Sequence, residues 1–171
     1  TLGAVTGTAA GVLPIKGTAS AAVVSFSLDI AAGGDDGHED ADGTVLLTAS
    51  VVIVNSFTPH AGLLFRNVNI PAGTTVTAAY INIVPSTYDD PNLVIWGEYD
   101  PTSFAETSNN LSGRTRTTAN VAWSAANIGV AAYHASPDIS AVIQEIVDNV
   151  GWGSGDNLAL HLIDNGGGLY F

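Results

Sequence analysis

The chain has 171 residues, which is within the usual size of a single domain and enough to bury a core without disulfides or metals. Four Lys and Arg against sixteen Asp and Glu give a formal charge of −12 at pH 7, which excludes a nucleic-acid-binding protein because such proteins need clustered Lys and Arg. The absence of Cys excludes disulfides and thiolate metal sites, and no apolar run approaches the roughly 18 residues of a membrane span.

Residues 1–30 form a tract of small residues that predicts a strand-like N-terminal arm or linker, separate from a module over 31–171. The tripeptide Gly-Thr-Ala at 7–9 recurs at 17–19, as in a short strand repeat. Polar and apolar residues alternate from Ser25 to Ile30, which predicts a strand there. Because small residues contribute little to a core, we expect residues 1–22 to pair along an exposed sheet edge of a neighbouring subunit or domain.

The segment 33–43, GGDDGHEDADG, is predicted to be a loop by its Gly and Asp content. Its carboxylates are hard oxygen ligands at close spacing, of the kind that Ca²⁺ prefers, although the EF-hand pattern is absent. The candidate Ca²⁺ ligands are Asp35, Asp36, Glu39, Asp40 and Asp42. The alternative is a solvated acidic loop that holds no metal.

Most of the remaining chain alternates between apolar and polar residues in short runs separated by Gly and Pro turns, as in antiparallel β-proteins. Strands are predicted within 44–54, 62–70, 76–84, 93–99, 120–124 and 158–163. One helix is predicted at about 137–150, with Ser136 as N-cap and with Ile139, Ile143, Ile146 and Val150 packed on the sheet. The predicted fold class is all-β, an antiparallel β-sandwich of jelly-roll type with one short amphipathic α-helix.

Several other residues of types that often occur in functional sites are interpreted as structural. The tryptophans, Trp96, Trp123 and Trp152, are predicted to pack in the core, with a sugar-stacking platform as the alternative. Arg66 is predicted to pair with a carboxylate at the sheet surface. No G-x-S-x-G elbow or paired carboxylates typical of a glycosidase are recognisable, so the chain is predicted not to be an enzyme.

Four segments occur in an order that resembles a β-sandwich module of tailed-phage structural proteins and bacterial surface proteins, similar to DNRLRE-type and carbohydrate-binding-module-like jelly rolls. They are GLLFRNVNIPAGTTVTAAYINIV, LVIWGEYDPTSF, SGRTRTTANVAWSA and SPDISAVIQEIVDNVGWGSGDNLALHLI, and they lie within about 36–168. The resemblance implies a non-catalytic sandwich that binds, decorates or assembles. Such modules continue past the position of Phe171, which leaves an edge to be filled.

We therefore expect a non-enzymatic structural or decoration module of a virion or extracellular assembly, which self-associates through edge strands. The expected partners are copies of the chain or other virion or surface structural proteins, with glycans in the alternative reading and without nucleic acid or a membrane span. The expected location is a virion surface or the extracellular medium. The alternative function is a carbohydrate-binding module of a secreted or cell-surface protein.

Overall fold

A computed structural model describes residues 27–30, 32–130 and 132–171. Within these ranges the chain forms ten strands and one helix. In chain order they are β1 (Asp36–Glu39), β2 (Val45–Leu46), β3 (Ile53–Val54), β4 (His60–Val68), β5 (Asn82–Ile83), β6 (Asn92–Glu98), β7 (Arg116–Ser124), β8 (His134–Ala135), α1 (Ser140–Val147), β9 (Asp156–Asp164) and β10 (Leu169–Tyr170). The predicted all-β, antiparallel, sandwich-like class is confirmed.

The main layer is a six-stranded sheet in the order β2-β1-β4-β9-β6-β7, in which every neighbouring pair is antiparallel. Two ribbons of two strands each, β10-β3 and β5-β8, accompany it. At the end of the chain, Phe171 exchanges two backbone hydrogen bonds with Val52, so residues 169–171 pair with the β3 segment.

One face of the sheet, the inner face, carries the main hydrophobic core. Strand alternation places Leu63, Ile95 and Leu160 on this face, where α1 and both ribbons pack against them. The helix contributes its apolar stripe of Val142, Ile143, Ile146 and Val147. It approaches β6 closely at Gly97, where a Cβ atom would lie 2.6 Å from Ile146 Cδ1, so a larger residue there would force side chains of α1 to shift.

The opposite, outer face is covered in part by the segment 99–115, which we call the covering loop. Its Phe104 and Leu111 are buried with Val45, Leu47, Leu64 and Ala159 in a second, smaller apolar cluster. Gly62 on β4 makes room for the loop, because a Cβ there would lie 2.8 Å from the Phe104 ring. The covering loop thus closes over polar residues that would otherwise face water.

The structure corrects several predicted elements. The predicted loop 33–43 contains strand β1, which pairs with both β2 and β4. Residues 27–30 are irregular, not a strand, although Ile30 packs against the core. The rest of the predicted N-terminal arm, residues 1–26, lies outside the described residues.

The helix is also shorter than predicted. It begins at Ser140, and Ser136 does not cap it, because the Ser136 hydroxyl accepts a hydrogen bond from the Ile81 backbone N–H at 3.0 Å. Asp138 accepts the Ser140 N–H instead, at 2.9 Å. Val150 lies beyond the helix and is fully exposed, at 104%, so its predicted place in the core is wrong.

Candidate functional site

The structure separates the predicted Ca²⁺ ligands. Asp35 is 0% exposed and accepts hydrogen bonds from both Nε and Nη2 of Arg66, the shortest at 2.8 Å from Nε to Oδ2 and 2.5 Å from Nη2 to Oδ1. This is the carboxylate partner that the sequence predicted for Arg66. Asp36 and Glu39 occupy positions of β1 that face opposite sides of the sheet, since successive strand residues alternate.

The two remaining acidic residues serve the turn after β1. Asp40 accepts a hydrogen bond from the Thr58 hydroxyl at 2.9 Å, and Asp42 accepts the Thr44 backbone N–H, also at 2.9 Å. That hydrogen bond lowers the pKa of Asp42, whereas burial raises the pKa of Asp36. Within the described residues no group of three or more His, Cys, Asp and Glu side chains is arranged to hold a metal ion. Ca²⁺ binding stays a prediction.

A different cluster of charged residues lies between the sheet and the covering loop, and we call it the outer-face cluster. Its members come from five strands and the covering loop and are Glu39 (β1), His60 (β4), Glu98 (β6), Arg114 (covering loop), Arg116 (β7) and His161 (β9). Glu39, Glu98 and His161 are nearly inaccessible, at 2%, 4% and 1%. Two carboxylates and two guanidinium groups balance, so the cluster is electroneutral when both histidines are neutral.

Glu98 is the centre of the hydrogen bonds in this cluster. Its Oε1 accepts from Arg114 Nη1 at 2.8 Å, and its Oε2 lies 2.8 Å from His161 Nε2. Arg114 also donates to the backbone oxygens of Thr102 and Ser103, at 3.0 Å each, and its guanidinium lies 4.8 Å from the centre of the Phe104 ring. Arg114 therefore joins the covering loop to the sheet.

Glu39 joins the other end of the loop to the sheet. Its Oε2 accepts the backbone N–H groups of Leu111 and Ser112 at 2.8 and 3.0 Å. Arg116 donates to the Ser112 backbone oxygen at 3.1 Å. Burial lowers the pKa of Arg116 and of His60, and for His60 the nearby Arg116 guanidinium acts in the same direction.

Sequence reasoning missed this cluster. Its members are distant in sequence and meet only through strand pairing, as where Glu98 lies opposite Arg116 and Glu39 lies opposite His60. The signal that the sequence offered was a charged residue inside an otherwise apolar strand, at a position that strand alternation assigns to one face of the sheet. Because the carboxylates are engaged by Arg114, His161 and backbone N–H groups, the arrangement suits fastening the loop more than proton transfer.

Two open clefts flank the covering loop. One, of about 420 Å³, is lined by Asp100, Trp152, Asp156 and neighbouring turn residues. The other, of about 440 Å³, is lined by Glu98, Tyr99, Arg114 and polar residues of the loop. The Glu98 carboxylate in the second cleft already binds Arg114 and His161, so it is not free to act on a ligand.

The tryptophans are mostly structural. Trp123 and Trp152 are buried in the main core, as predicted, and the Trp152 indole donates to the Ile70 backbone oxygen at 2.9 Å. Trp96 is half-buried on the outer face, opposite His161 on β9. Besides Phe57, the strongly exposed aromatic residues among those described are three tyrosines near the β5-β8 ribbon in sequence, and we call Tyr80, Tyr88 and Tyr133 the tyrosine surface.

The sheet ends on one side at β7, whose only neighbour among the described residues is β6. Nine residues long, β7 contrasts with the opposite edge strand β2, which has two. Residues 117–126, TTANVAWSAA, contain no charged side chain. Asn120, Ala122 and Ser124 are exposed along this edge.

At one end of this edge, Glu145 of α1 occupies the backbone donors of β7. Its Oε1 accepts the Thr118 N–H at 2.7 Å and its Oε2 accepts the Ala119 N–H at 2.6 Å. The Tyr99 hydroxyl donates to the same carboxylate, and this hydrogen bond lowers the pKa of Glu145. Among the described residues, β7 thus has an unpaired edge that a carboxylate bounds at one end.

No family model, curated protein or solved structure matches the chain. In the part of the chain that the structure describes, no helix has the length and apolar character required to cross a membrane.

Proposed function

We propose that the chain is a non-enzymatic structural or decoration module of a virion or extracellular assembly and that copies of it associate through the edge of β7. The observation that carries this proposal is a long, uncharged strand edge with no partner among the described residues. Unpaired N–H and C=O groups on such an edge are a template for pairing with another strand.

The distribution of charge restricts where a second copy can associate. Two chains that each carry −12 repel one another over most of their surface. From Asn120 to Ala126 the edge has no charged side chain, so two copies approach there at the least electrostatic cost. Natural edge strands that stay unpaired are usually blocked by Lys, Pro or bulges, and between Asn120 and Ser124 this edge carries none of these.

The buried carboxylates support a non-enzymatic role. Glu39 and Glu98 are the two carboxylates of the outer-face cluster. Both are nearly inaccessible, and both are bound to groups that hold the covering loop. A glycosidase needs two carboxyl groups that flank a bound sugar. The engagement of Glu39 and Glu98 with backbone N–H groups and Arg114 favours a structural use of both.

The test is an Ala122→Pro variant studied by sedimentation velocity over a range of concentrations. The Ala122 N–H points away from β6, so proline removes a donor of the free edge without removing a bond of the sheet. We expect the wild-type chain to associate and the variant to stay monomeric. Ala141→Pro is the matched control, because the exposed Ala141 lies in the first turn of α1, where proline is tolerated.

Circular dichroism must show that both variants are folded. Association that survives in Ala122→Pro, or a wild-type chain that is monomeric at every concentration, would contradict the proposal.

The tyrosine surface favours a second candidate function, the binding of glycans. Tyr80, Tyr88 and Tyr133 are 55%, 70% and 79% exposed, and exposed aromatic rings supply flat apolar area beside a polar hydroxyl. Affinity electrophoresis in gels that contain soluble polysaccharides tests this function. Retardation that Tyr133→Ala abolishes and Phe57→Ala preserves would support it, and no retardation by any polysaccharide would count against it.

A further inference from the structure

We propose that two copies of the chain pair β7 with β7 in antiparallel orientation about a two-fold axis at Ala122, and that Glu145 fixes this register. The inference rests on the proposed function, which names β7 as the interface but leaves the pairing open. It commits to a second copy of this chain as the partner of the edge.

The ladder of β6 and β7 shows which groups of β7 are free. Ala125 donates its N–H to the Pro91 backbone oxygen at 3.0 Å, so Ala125 points toward β6. In an antiparallel ladder the direction alternates from residue to residue, so Val121 and Trp123 also point toward β6. Asn120, Ala122 and Ser124 therefore present their N–H and C=O groups away from the sheet.

Thr118 is the next outward residue of this series, and Glu145 removes it from the free edge. The Glu145 carboxylate accepts the N–H groups of Thr118 and Ala119, where the register of β7 against β6 shifts. A partner strand that extended past Asn120 would meet these occupied donors and a negative charge. At its other end β7 stops at Ser124, so the strand offers three outward residues beyond Glu145, and Ala122 is their centre.

A two-fold axis at Ala122 matches the side chains as well as the backbone. Ala122 would face Ala122 of the second copy, where two small side chains fit without a clash. Asn120 would face Ser124 of the second copy on both sides of the axis, which pairs an amide with a hydroxyl. Each of the three hydrogen-bonded pairs exchanges two hydrogen bonds, which gives about six across the interface.

The symmetry agrees with the commonest type of homo-oligomer. A two-fold interface uses the same surface on both copies, so each residue that donates in one direction also accepts in the other. Two identical edge strands in antiparallel orientation meet this condition, because each outward residue carries both an N–H donor and a C=O acceptor. The pairing would join two six-stranded sheets into one continuous sheet.

The chain has no Cys, so single Cys variants report directly on the register. Across a hydrogen-bonded antiparallel pair the Cα atoms are about 5.5 Å apart, which is within the range of a disulfide. Under mild oxidation we expect Ala122→Cys to form a disulfide-linked dimer rapidly. Asn120→Cys and Ser124→Cys should not, because each would lie about 14 to 15 Å from its own copy, four residues along the strand and one strand across.

A mixture of Asn120→Cys and Ser124→Cys should form the mixed dimer, since these two positions face each other across the axis. Exposed Ala141 on α1 provides the control, and Ala141→Cys should cross-link no faster than collision allows. Glu145→Gln should weaken the preference for cross-linking at position 122, because it removes the charge that ends the free edge.

The outcomes separate the two proposals. Cross-linking of Asn120→Cys or Ser124→Cys with itself would overturn the register while leaving β7 as the interface. Association without cross-linking at any β7 position would overturn both. Association that gives no cross-link at any β7 position and is lost when residues 1–22 are deleted would assign the interface to the N-terminal tract of a second copy, which would likewise overturn the β7–β7 pairing.

Discussion

Single residues of the outer-face cluster make contacts that could not be predicted from their neighbours in the sequence. Arg114 contacts Glu98, the Phe104 ring and backbone oxygens of the covering loop, while its side chain is only 10% exposed. Removing one partner of a buried ion pair leaves the other charge without compensation. The cluster therefore makes predictions at the level of individual side chains.

Arg114→Met should lower the free energy of unfolding by about 3 kcal/mol, because Glu98 stays buried without its guanidinium partner. Urea unfolding measures the loss. The double variant Arg114→Met with Glu98→Gln should lose less than the sum of the two single losses, since the uncompensated charge is gone. Strictly additive losses would show that the two side chains do not interact.

The histidines predict a dependence of stability on pH. Burial lowers the pKa of His60 and of His38 in the folded protein, so the unfolded chain binds more protons below the ordinary histidine value of 6.5. The free energy of unfolding should therefore decrease as the pH falls from about 7 to about 5. Titration by NMR should give His60 a pKa below 6.5, with His60→Asn to assign the signal. A pKa at or above 6.5 would contradict the burial argument.

Among whole elements, those with many alternating apolar residues were predictable from the sequence. The runs that became β4, β6 and β9 are apolar on one or both faces, and the three-to-four spacing of α1 is equally clear. Strand β1 was not predictable, because its Asp, Gly, His and Glu residues are typical of a loop. It exists because Glu39 finds backbone donors in the covering loop, which is a tertiary contact that no local pattern records.

The helix gives a test that compares two residues of one predicted stripe. Ile143 is buried in the main core and Val150 is fully exposed after the helix end. Ile143→Ala should cost about 2 to 5 kcal/mol by leaving a cavity. Val150→Ala should change stability by less than about 0.5 kcal/mol, as surface substitutions usually do. Equal losses in thermal or urea unfolding would contradict the described packing of α1.

The β1 segment carries the Ca²⁺ prediction. If carboxylates of the 35–42 segment bind Ca²⁺, the melting temperature rises in about 1 mM Ca²⁺ and EDTA reverses the rise, because a ligand that binds only the folded state stabilises it. Asp42→Asn, which is exposed and outside the Arg66 pair, should reduce the shift. Identical melting curves with Ca²⁺ and with EDTA would remove the prediction.

At the scale of the whole molecule, association depends on net charge and strand order more than on any single contact. Composition predicted an acidic module and residue alternation predicted a β-rich one, and the structure adds which long edge strand has only one neighbour among the described residues. The open edge at β7 could not be predicted, because strand order depends on pairing between residues far apart in the chain. The outer-face cluster could not be predicted for the same reason.

Association should strengthen with salt. The Debye length falls from about 30 Å to about 10 Å between ionic strengths of about 0.01 and 0.1 M, which screens the repulsion between two chains of charge −12. Sedimentation at both ionic strengths should show a lower dissociation constant at the higher one. A contact made by opposite charges would weaken instead, which would contradict pairing at a neutral edge.

The position of β9 in the sheet has a consequence for how the chain reaches its structure. Although β9 is formed by residues 156–164, it lies in the middle, between β4 and β6. The two halves of the sheet, β2-β1-β4 and β6-β7, therefore share no strand pairing until this late segment has been synthesised. Pairing that spans so much of the sequence is slow to nucleate, since loops must close before contacts form. During synthesis each half exposes a temporary edge on β4 and on β6, so the growing chain is most prone to aggregation just before β9 emerges and the sheet closes.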